Sequence, residues 1–271
     1  MKNLVTVEWL SDHLLDENLV VVDCQFDLGN SSTGYESYLN GHIPGAVYAD
    51  LEKDLSGEIG EHGGRHPLPD QEQLQRLIER LGIEQDSKVI AYDNQHSAMA
   101  ARLWFLLGFA GHKQRAVLNG GIEAWRGEGL KTESKLPSVR ASHYPISLDS
   151  SMIVSMNDVK QAQVDGRTIV DSRAPARYAG KEEPIDARAG HIPHAVNYFW
   201  KDNLTEKQKW KEPFERVGEI ESGQEPIIYC GSGVTACVNI LAFQEAGVHA
   251  KLYPGSYSDW ISYKDNQVVT L

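Results

Sequence analysis

An internal repeat is the feature that most limits what this chain can fold into. Three pairs of stretches recur in the same order: VVVDCQFD (20–27) with TIVDSRAP (168–175), GHIPGAVYADL (41–51) with GHIPHAVNYFW (190–200), and NGGIEAW (119–125) with PGSYSDW (254–260). The matching aspartates Asp23 and Asp171 are 148 residues apart. That period is too long for a solenoid and predicts two copies of a whole domain. We place the boundary in a polar joining segment, which gives domains 1–146 and 147–271.

Short apolar runs indicate the fold class. They alternate with helical patterns in both halves, and the strand candidates are NLVVVD, KVIAYD, RTIVD and PIIYC. Continuous apolar runs of this length suit strands that are covered on both faces. Helices are predicted at 71–81 and 97–107, the second ended by Gly108 at its C′ position. The prediction is an α/β fold of two domains, each a mainly parallel sheet flanked by helices.

Composition excludes several classes of protein. The chain has 271 residues and a formal net charge of −12, which argues against binding nucleic acid or an anionic membrane. No run approaches the roughly 20 apolar residues of a membrane span. The N-terminus does not resemble a signal peptide, and the three cysteines are an odd number with no Cys-x-x-Cys pair. These features predict a soluble cytoplasmic protein with free thiols and without a metal site.

The stretch IIYCGSGVTACV suggests a nucleophile. Cys230 ends a predicted strand, and a loop of small residues leads into a helix from about Ala236; the loop residues are Gly231, Ser232, Gly233, Val234 and Thr235. Ligands sit at the carboxyl ends of strands in open α/β sheets. Backbone N–H groups of such a loop form a cradle for negative charge, so the thiol is expected to be thiolate near neutral pH. The alternative is a small buried side chain, which we expect for Cys24 and Cys237.

These features together resemble the two-domain rhodanese family of sulfurtransferases. The resemblance rests on the repeated domain, the strand–cysteine–helix element, the two GHIP turns and the segment VDSRAPARYAG. It implies a non-catalytic first domain, in which Asp93 stands where the second has Cys230, and a persulfide formed on that cysteine. Thiosulfate-preferring members resemble C-R-K-G-V-T in this loop, whereas 3-mercaptopyruvate sulfurtransferases resemble C-G-S/T-G-V-T. This chain reads C-G-S-G-V-T.

Arginines before the second GHIP turn provide candidates for binding an anionic substrate. Guanidinium groups bind carboxylates through two hydrogen bonds. The resemblance implies that Arg177 contacts substrate and that Arg188 is a second carboxylate-binding arginine. Arg173 could instead pair with a neighbouring acid, and an ordinary salt bridge is the alternative for each arginine.

A loop rich in Gly and Pro, residues 53–70, adds about a dozen residues to the first half. By resemblance, it supplies His66 and Asp54 to a Ser–His–Asp set completed by Ser232. Such a set can polarise a carbonyl or manage a proton. His62 competes with His66 for this role.

The resemblance implies transfer of sulfur from 3-mercaptopyruvate, a small anionic donor, to cyanide or a thiol acceptor such as thioredoxin, without cofactor or metal. Three alternatives stay open at this point: thiosulfate as the main donor, a sulfur-relay or interaction module without small-molecule turnover, and a cysteine phosphatase. Phosphatases of this fold have a loop one residue longer that ends in arginine, whereas Thr235 and Ala236 supply none.

Overall fold

The structure is a computed structural model that describes residues 1–30, 32–211 and 225–271. Its described residues form two compact units. The first comprises Met1–Gly57, Pro69–Asp149 and Glu206–Trp210, and the second comprises Glu58–Leu68, Ser150–Thr205 and Lys211–Leu271. The sequence assigned residues 58–68 to the first half, but they pack within the second unit. The boundary between residues 146 and 147 stays a prediction.

The first unit is built on a five-stranded sheet in the order β1-β5-β4-β2-β3, in which every neighbouring pair is parallel. Its elements in chain order are β1 (Leu4–Val5), α1 (Val7–His13), β2 (Leu19–Asp23), α2 (Ser32–Asn40), β3 (Val47–Tyr48), α3 (Gln71–Arg80), β4 (Lys88–Tyr92), α4 (Ala98–Phe109), β5 (Arg115–Leu118) and α5 (Gly121–Gly127).

The second unit has a four-stranded parallel sheet in the order β7-β6-β8-β9. Its elements are a 3₁₀ turn (Ser150–Met152), α6 (Met156–Asp165), β6 (Ile169–Asp171), α7 (Pro175–Tyr178), β7 (Ala195–Asn197), a 3₁₀ turn (Trp200–Asn203), β8 (Ile227–Tyr229), α8 (Ala236–Glu245), β9 (Lys251–Leu252) and α9 (Ser256–Trp260). The order matches β3-β2-β4-β5 of the first sheet, and the α/β class is confirmed.

The two GHIP turns serve a structural role. His42 Nδ1 donates to Tyr38 O at 2.7 Å, and the two rings stack with centroids 4.1 Å apart. His191 Nδ1 donates to Tyr178 O at the same distance, again with stacked rings. Each histidine is buried and fixes its turn to the helix before it. Tyr38 therefore corresponds to Tyr178.

Helix boundaries follow local chemistry, with one correction. Asp70 caps α3 by accepting from Gln73 N at 2.7 Å, and Gln73 Oε1 accepts from Asp70 N at 3.0 Å. Gly108 was expected just beyond the end of the next helix, but α4 continues through it to Phe109. A Cβ at Gly108 would overlap the Arg115 guanidinium, so this glycine permits close packing and does not end the helix.

Among the described residues, none of the helices is long and apolar enough to cross a membrane.

Candidate active site

Cys230 lies at the carboxyl end of β8, between β6 and β9 in the second sheet. Three hydrogen bonds tie its loop to α9. Cys230 N donates to Ser256 Oγ at 3.1 Å, Tyr257 N donates to Cys230 O at 3.0 Å, and Ser258 N donates to Gly231 O at 2.9 Å. The loop conformation is therefore fixed from outside the loop as well as by its own glycines.

The loop turns a backbone donor toward the sulfur. Gly233 N donates to Cys230 Sγ at 3.1 Å. Gly233 has φ +79°, and a Cβ there would overlap Pro254 O, so glycine is required at this position. Val234 and Thr235 follow, and α8 begins at Ala236 as predicted. Cys230 is only 2% exposed, so the residue is almost fully buried.

The other two cysteines are in the core. Cys24 and Cys237 are fully buried. Burial raises the pKa of the Cys24 thiol well above its ordinary value, and the charge of Asp23 adds to the shift. Cys237 Sγ donates to Gly233 O at 3.4 Å. Their predicted role as packing residues agrees with these positions.

Asp93 occupies the corresponding position in the first unit, directly after β4. Its carboxylate accepts four backbone hydrogen bonds, with donor distances of 2.8 to 3.0 Å, from Gln95, Ser97, Met99 and Ala100. Burial raises the pKa of Asp93, while these N–H donors oppose the shift. The first unit thus fills its own loop with a carboxylate.

Ser232 and His66 are brought together. His66 Nδ1 and Ser232 Oγ share a hydrogen bond of 2.8 Å, and both residues belong to the second unit. His62 instead bonds with Ser262 Oγ at 2.7 Å and stacks on Tyr263. Between the two histidines, the structure favours His66 as the partner of Ser232.

Asp54 belongs to the first unit. Its carboxylate pairs with Arg80 Nη2 at 2.7 Å and accepts from Asp50 N at 2.8 Å. Its place in a Ser–His–Asp set stays a prediction.

Arg177 lies beside the cysteine loop but also pairs with two buried acids. Its Nη2 is 2.7 Å from Glu183 Oε1 and 2.8 Å from Asp186 Oδ2. An ideal Cβ on Gly231 would lie 3.5 Å from Arg177 Nη1, which places the guanidinium against the loop. Arg173 pairs with Asp171 at 2.7 Å and is almost fully buried. The structure therefore shows the alternative given for Arg173, an ion pair with a neighbouring acid.

The two acids beside Arg177 differ in their pKa. Burial alone would raise the pKa of Glu183, but hydrogen bonds from Arg177 and from Asp186 N hold it below its ordinary value. Burial raises the pKa of Asp186, although the charge of Arg65 opposes the shift. Sequence reasoning did not assign either acid. The signal was present in GKEEPIDAR, where three acids lie between Arg177 and Arg188.

Arg188 is held by two hydrogen bonds. Its Nη1 donates to Asn266 O at 3.1 Å, and its carbonyl accepts from Tyr257 Oη at 3.0 Å. Its role in substrate binding stays a prediction. Among the described residues, no group of three or more His, Cys, Asp or Glu side chains is placed to hold a metal ion.

Comparison with known proteins defines the class to which this fold and loop belong. The rhodanese-like domain matches residues 6–128 and again residues 155–263, and the chain belongs to this family. It is 38% identical to a Pseudomonas aeruginosa protein named "Probable 3-mercaptopyruvate sulfurtransferase", over 98% of each chain. It is 30% identical to thiosulfate sulfurtransferase of Cricetulus griseus, over 95% of this chain and 91% of the relative. The crystal structure of SseA from Escherichia coli, described as a 3-mercaptopyruvate sulfotransferase with the rhodanese fold, superposes with a TM-score of 0.83 at 29% identity and covers 95% of this chain and 100% of its own.

Proposed function

We propose that this protein is a sulfurtransferase that takes sulfur from 3-mercaptopyruvate onto Cys230 and passes it to a thiol or to cyanide. The observation that carries the proposal is the hydrogen bond from Gly233 N to Cys230 Sγ in a loop that reads C-G-S-G-V-T. The similarity to relatives named for this activity supports the choice of donor.

In the first half-reaction, the Cys230 thiolate attacks the sulfur of 3-mercaptopyruvate. The carbon–sulfur bond breaks, its electron pair remains on carbon as the enolate of pyruvate, and the enzyme holds a persulfide. Protonation of the enolate gives pyruvate. N–H groups of Gly231, Gly233, Val234 and Thr235 are the proposed donors to the sulfur atoms.

Ser232 and His66, which share a hydrogen bond, are proposed to serve the proton step. A hydroxyl that is hydrogen-bonded to imidazole can donate a proton toward the substrate carbonyl and then take a proton from the ring. Asp54 is proposed to orient His66. Arg177, and with it Arg188, is proposed to hold the substrate carboxylate.

In the second half-reaction, the acceptor attacks the outer sulfur and releases the Cys230 thiolate. Cyanide leaves as thiocyanate, and a thiol leaves as its own persulfide. Thioredoxin is the proposed acceptor in cells, and the cytoplasm stays the location predicted from the sequence. The two substrates never need to be bound together, so ping-pong kinetics are expected.

The test is pyruvate release from 3-mercaptopyruvate by wild type, Cys230→Ser and Cys24→Ser. Cys230→Ser should lose about 10³-fold or more of the rate, because it lacks the nucleophile. Cys24→Ser removes a buried thiol of the other unit and should stay active. Equal rates for wild type and Cys230→Ser would end the proposal, and negligible turnover by wild type would favour a relay module.

Thiosulfate is the second candidate donor, favoured by the similarity to a thiosulfate sulfurtransferase. The ratio of kcat/KM for the two donors decides between them.

A further inference from the structure

Residues 58–68 carry His66 and belong to the second unit, although they come from the first half of the chain. Because His66 Nδ1 shares a hydrogen bond with Ser232 Oγ, this pair depends on how the segment is held. Gly63 and Gly64 come shortly before the histidine, with φ +100° and φ +82°. Glycine restricts the backbone least, so the segment needs support from elsewhere in the unit to keep His66 in place.

Two side chains of α9 provide this support. Asp259 Oδ1 accepts from Gly63 N at 2.7 Å, and Ser258 Oγ accepts from Arg65 N at 3.1 Å. Gly64 lies between these two donors in the chain, and an ideal Cβ there would lie 2.8 Å from Ser258 Oγ. The segment is therefore docked directly on α9, with no room for a side chain at position 64.

The carboxylate that binds Gly63 N is itself held in one orientation. Tyr253 Oη donates to Asp259 Oδ2 at 2.5 Å, so each carboxylate oxygen accepts a hydrogen bond. Both residues are almost fully buried. Burial and the charge of Asp259 raise the pKa of Tyr253, so the tyrosine keeps its proton and remains a donor.

The same helix also holds the loop that carries Ser232. Ser258 N donates to Gly231 O at 2.9 Å, while Ser258 Oγ accepts from Arg65 N. One residue of α9 thus binds the backbone next to Ser232 on one side and the backbone next to His66 on the other. The helix therefore sets the position of both members of the Ser232–His66 pair.

The equivalent helix of the first unit lacks both acceptors. In the matched motifs NGGIEAW and PGSYSDW, Ser258 and Asp259 correspond to Glu123 and Ala124. Glu123 forms an exposed ion pair with Arg126 at 2.9 Å, and alanine has no acceptor in its side chain. The shared fold forms without a serine and an aspartate at these positions, so their presence in the unit with the cysteine loop points to a role in the site.

We propose that Asp259 and Ser258 are positioning residues for the proton step, because they hold residues 58–68 on α9 and so keep His66 hydrogen-bonded to Ser232. The inference rests on the proposed function and extends it to two side chains that act without touching the donor. Their effect on the reaction should therefore pass through His66 and be confined to the half-reaction that forms pyruvate.

The test measures the two half-reactions separately, each in a single turnover. Pyruvate release is followed at saturating 3-mercaptopyruvate, and thiocyanate formation is followed after cyanide is added to enzyme already loaded with sulfur. Asp259→Ala should slow pyruvate release about tenfold or more, and Asp259→Asn, which keeps an oxygen for Gly63 N, should slow it less. Thiocyanate formation should stay within about twofold of wild type in both variants.

The same change in a His66→Ala background shows whether the effect passes through His66. There, Asp259→Ala should cause no further loss of pyruvate release, since the effects of residues that act as one unit are not additive. An equal loss with and without His66 would overturn the inference. Equal slowing of both half-reactions would also overturn it, because that is the result expected if Asp259 only supports the fold.

Ser258→Ala keeps the test valid if Asp259→Ala does not fold, because it removes one hydroxyl and leaves the hydrogen bond from Ser258 N to Gly231 O. It should slow pyruvate release about threefold or more. Asp158→Ala is the matched control, since Asp158 Oδ2 accepts from Ser155 N at 2.7 Å at the start of α6. It should keep the wild-type rate. Wild-type rates in both Asp259→Ala and Ser258→Ala would overturn the inference.

Hydrogen exchange separates this inference from the proposed function. Amide exchange within residues 58–68 is measured by mass spectrometry and needs no turnover. It should be about tenfold or more faster in Asp259→Ala than in wild type, and unchanged in Asp158→Ala. If wild type releases no pyruvate from 3-mercaptopyruvate, the proposed function fails, and this measurement then tests the docking alone. Equal exchange in wild type and Asp259→Ala overturns the inference.

Discussion

At the scale of single residues, the two units differ in what balances the aspartate that ends the first matched strand. In the second unit, Asp171 pairs with the Arg173 guanidinium. In the first, the hydrogen-bond donors to Asp23 among the described residues are all neutral, namely the backbone N–H and side-chain amide of Gln25 and the Tyr92 hydroxyl at 2.6 Å. Burial therefore raises the pKa of Asp23 to about 6, despite these donors.

This pKa predicts a pH dependence of stability. Between the ordinary value of 3.8 and about 6, the folded protein binds a proton at Asp23 that the unfolded chain does not. The stability due to this group is therefore full at about pH 4 and is lost as pH rises through about 6, by up to about 3 kcal/mol.

Urea unfolding of wild type and Asp23→Asn at several pH values measures the effect. The free energy of unfolding of wild type, relative to the variant, should fall as pH rises from about 4 to about 7. A constant difference between the two proteins would contradict the pKa assigned to Asp23.

At the scale of elements, the loop between β8 and α8 requires glycine at position 233. The local backbone conformation explains only part of this requirement. Gly233 has φ +79° and packs against Pro254 O, whereas Gly129 has φ +74° with open space around it. The two positions share a left-handed backbone and differ in crowding.

Gly233→Ala and Gly129→Ala form a matched pair. Gly129→Ala should lower the free energy of unfolding by about 1 kcal/mol through strain alone. Gly233→Ala should lower it by about 3 kcal/mol, because the methyl group also overlaps the backbone of Pro254. Pyruvate release should drop with it, since the donor to Cys230 Sγ moves. Equal losses of stability in urea unfolding would refute the crowding argument.

Elements could be predicted where the signal is local. The order of strands and helices, the capped α3 and the start of α8 at Ala236 follow from apolar runs and turn residues. The end of α4 could not be predicted in this way, because Gly108 is needed for close packing against Arg115, which lies in β5. In the site, a thiol in a small-residue loop was visible in the sequence. The network of Arg65, Asp186 and Arg177 was not, because it joins Arg65 to Asp186, which lies 121 positions further along the chain.

At the scale of the whole molecule, two domains of one family carry different chemistry on the same strand order. Tyr38 corresponds to Tyr178, so Ser37 stands in the first domain where Arg177 stands in the second. Asp93 stands where Cys230 does. The first domain therefore lacks both the thiol and the matching cation.

Placing a thiol at position 93 of the first domain should not by itself give that domain activity. Asp93→Cys in the Cys230→Ser background should release pyruvate no faster than Cys230→Ser, about 10³-fold or more below wild type. Asp93→Cys alone should remain active and serves as the control for folding. Pyruvate release near the wild-type rate by the double variant would show that the loop alone suffices.

The carboxylate of Asp93 has one more consequence. It is part of the polypeptide, so the backbone N–H groups around it keep the same acceptor through every turnover. In the proposed reaction, the backbone N–H groups around position 230 gain and release a sulfur atom in each cycle. Formation of the persulfide on Cys230 should therefore change local order in the second unit only, and the first unit should keep its conformation.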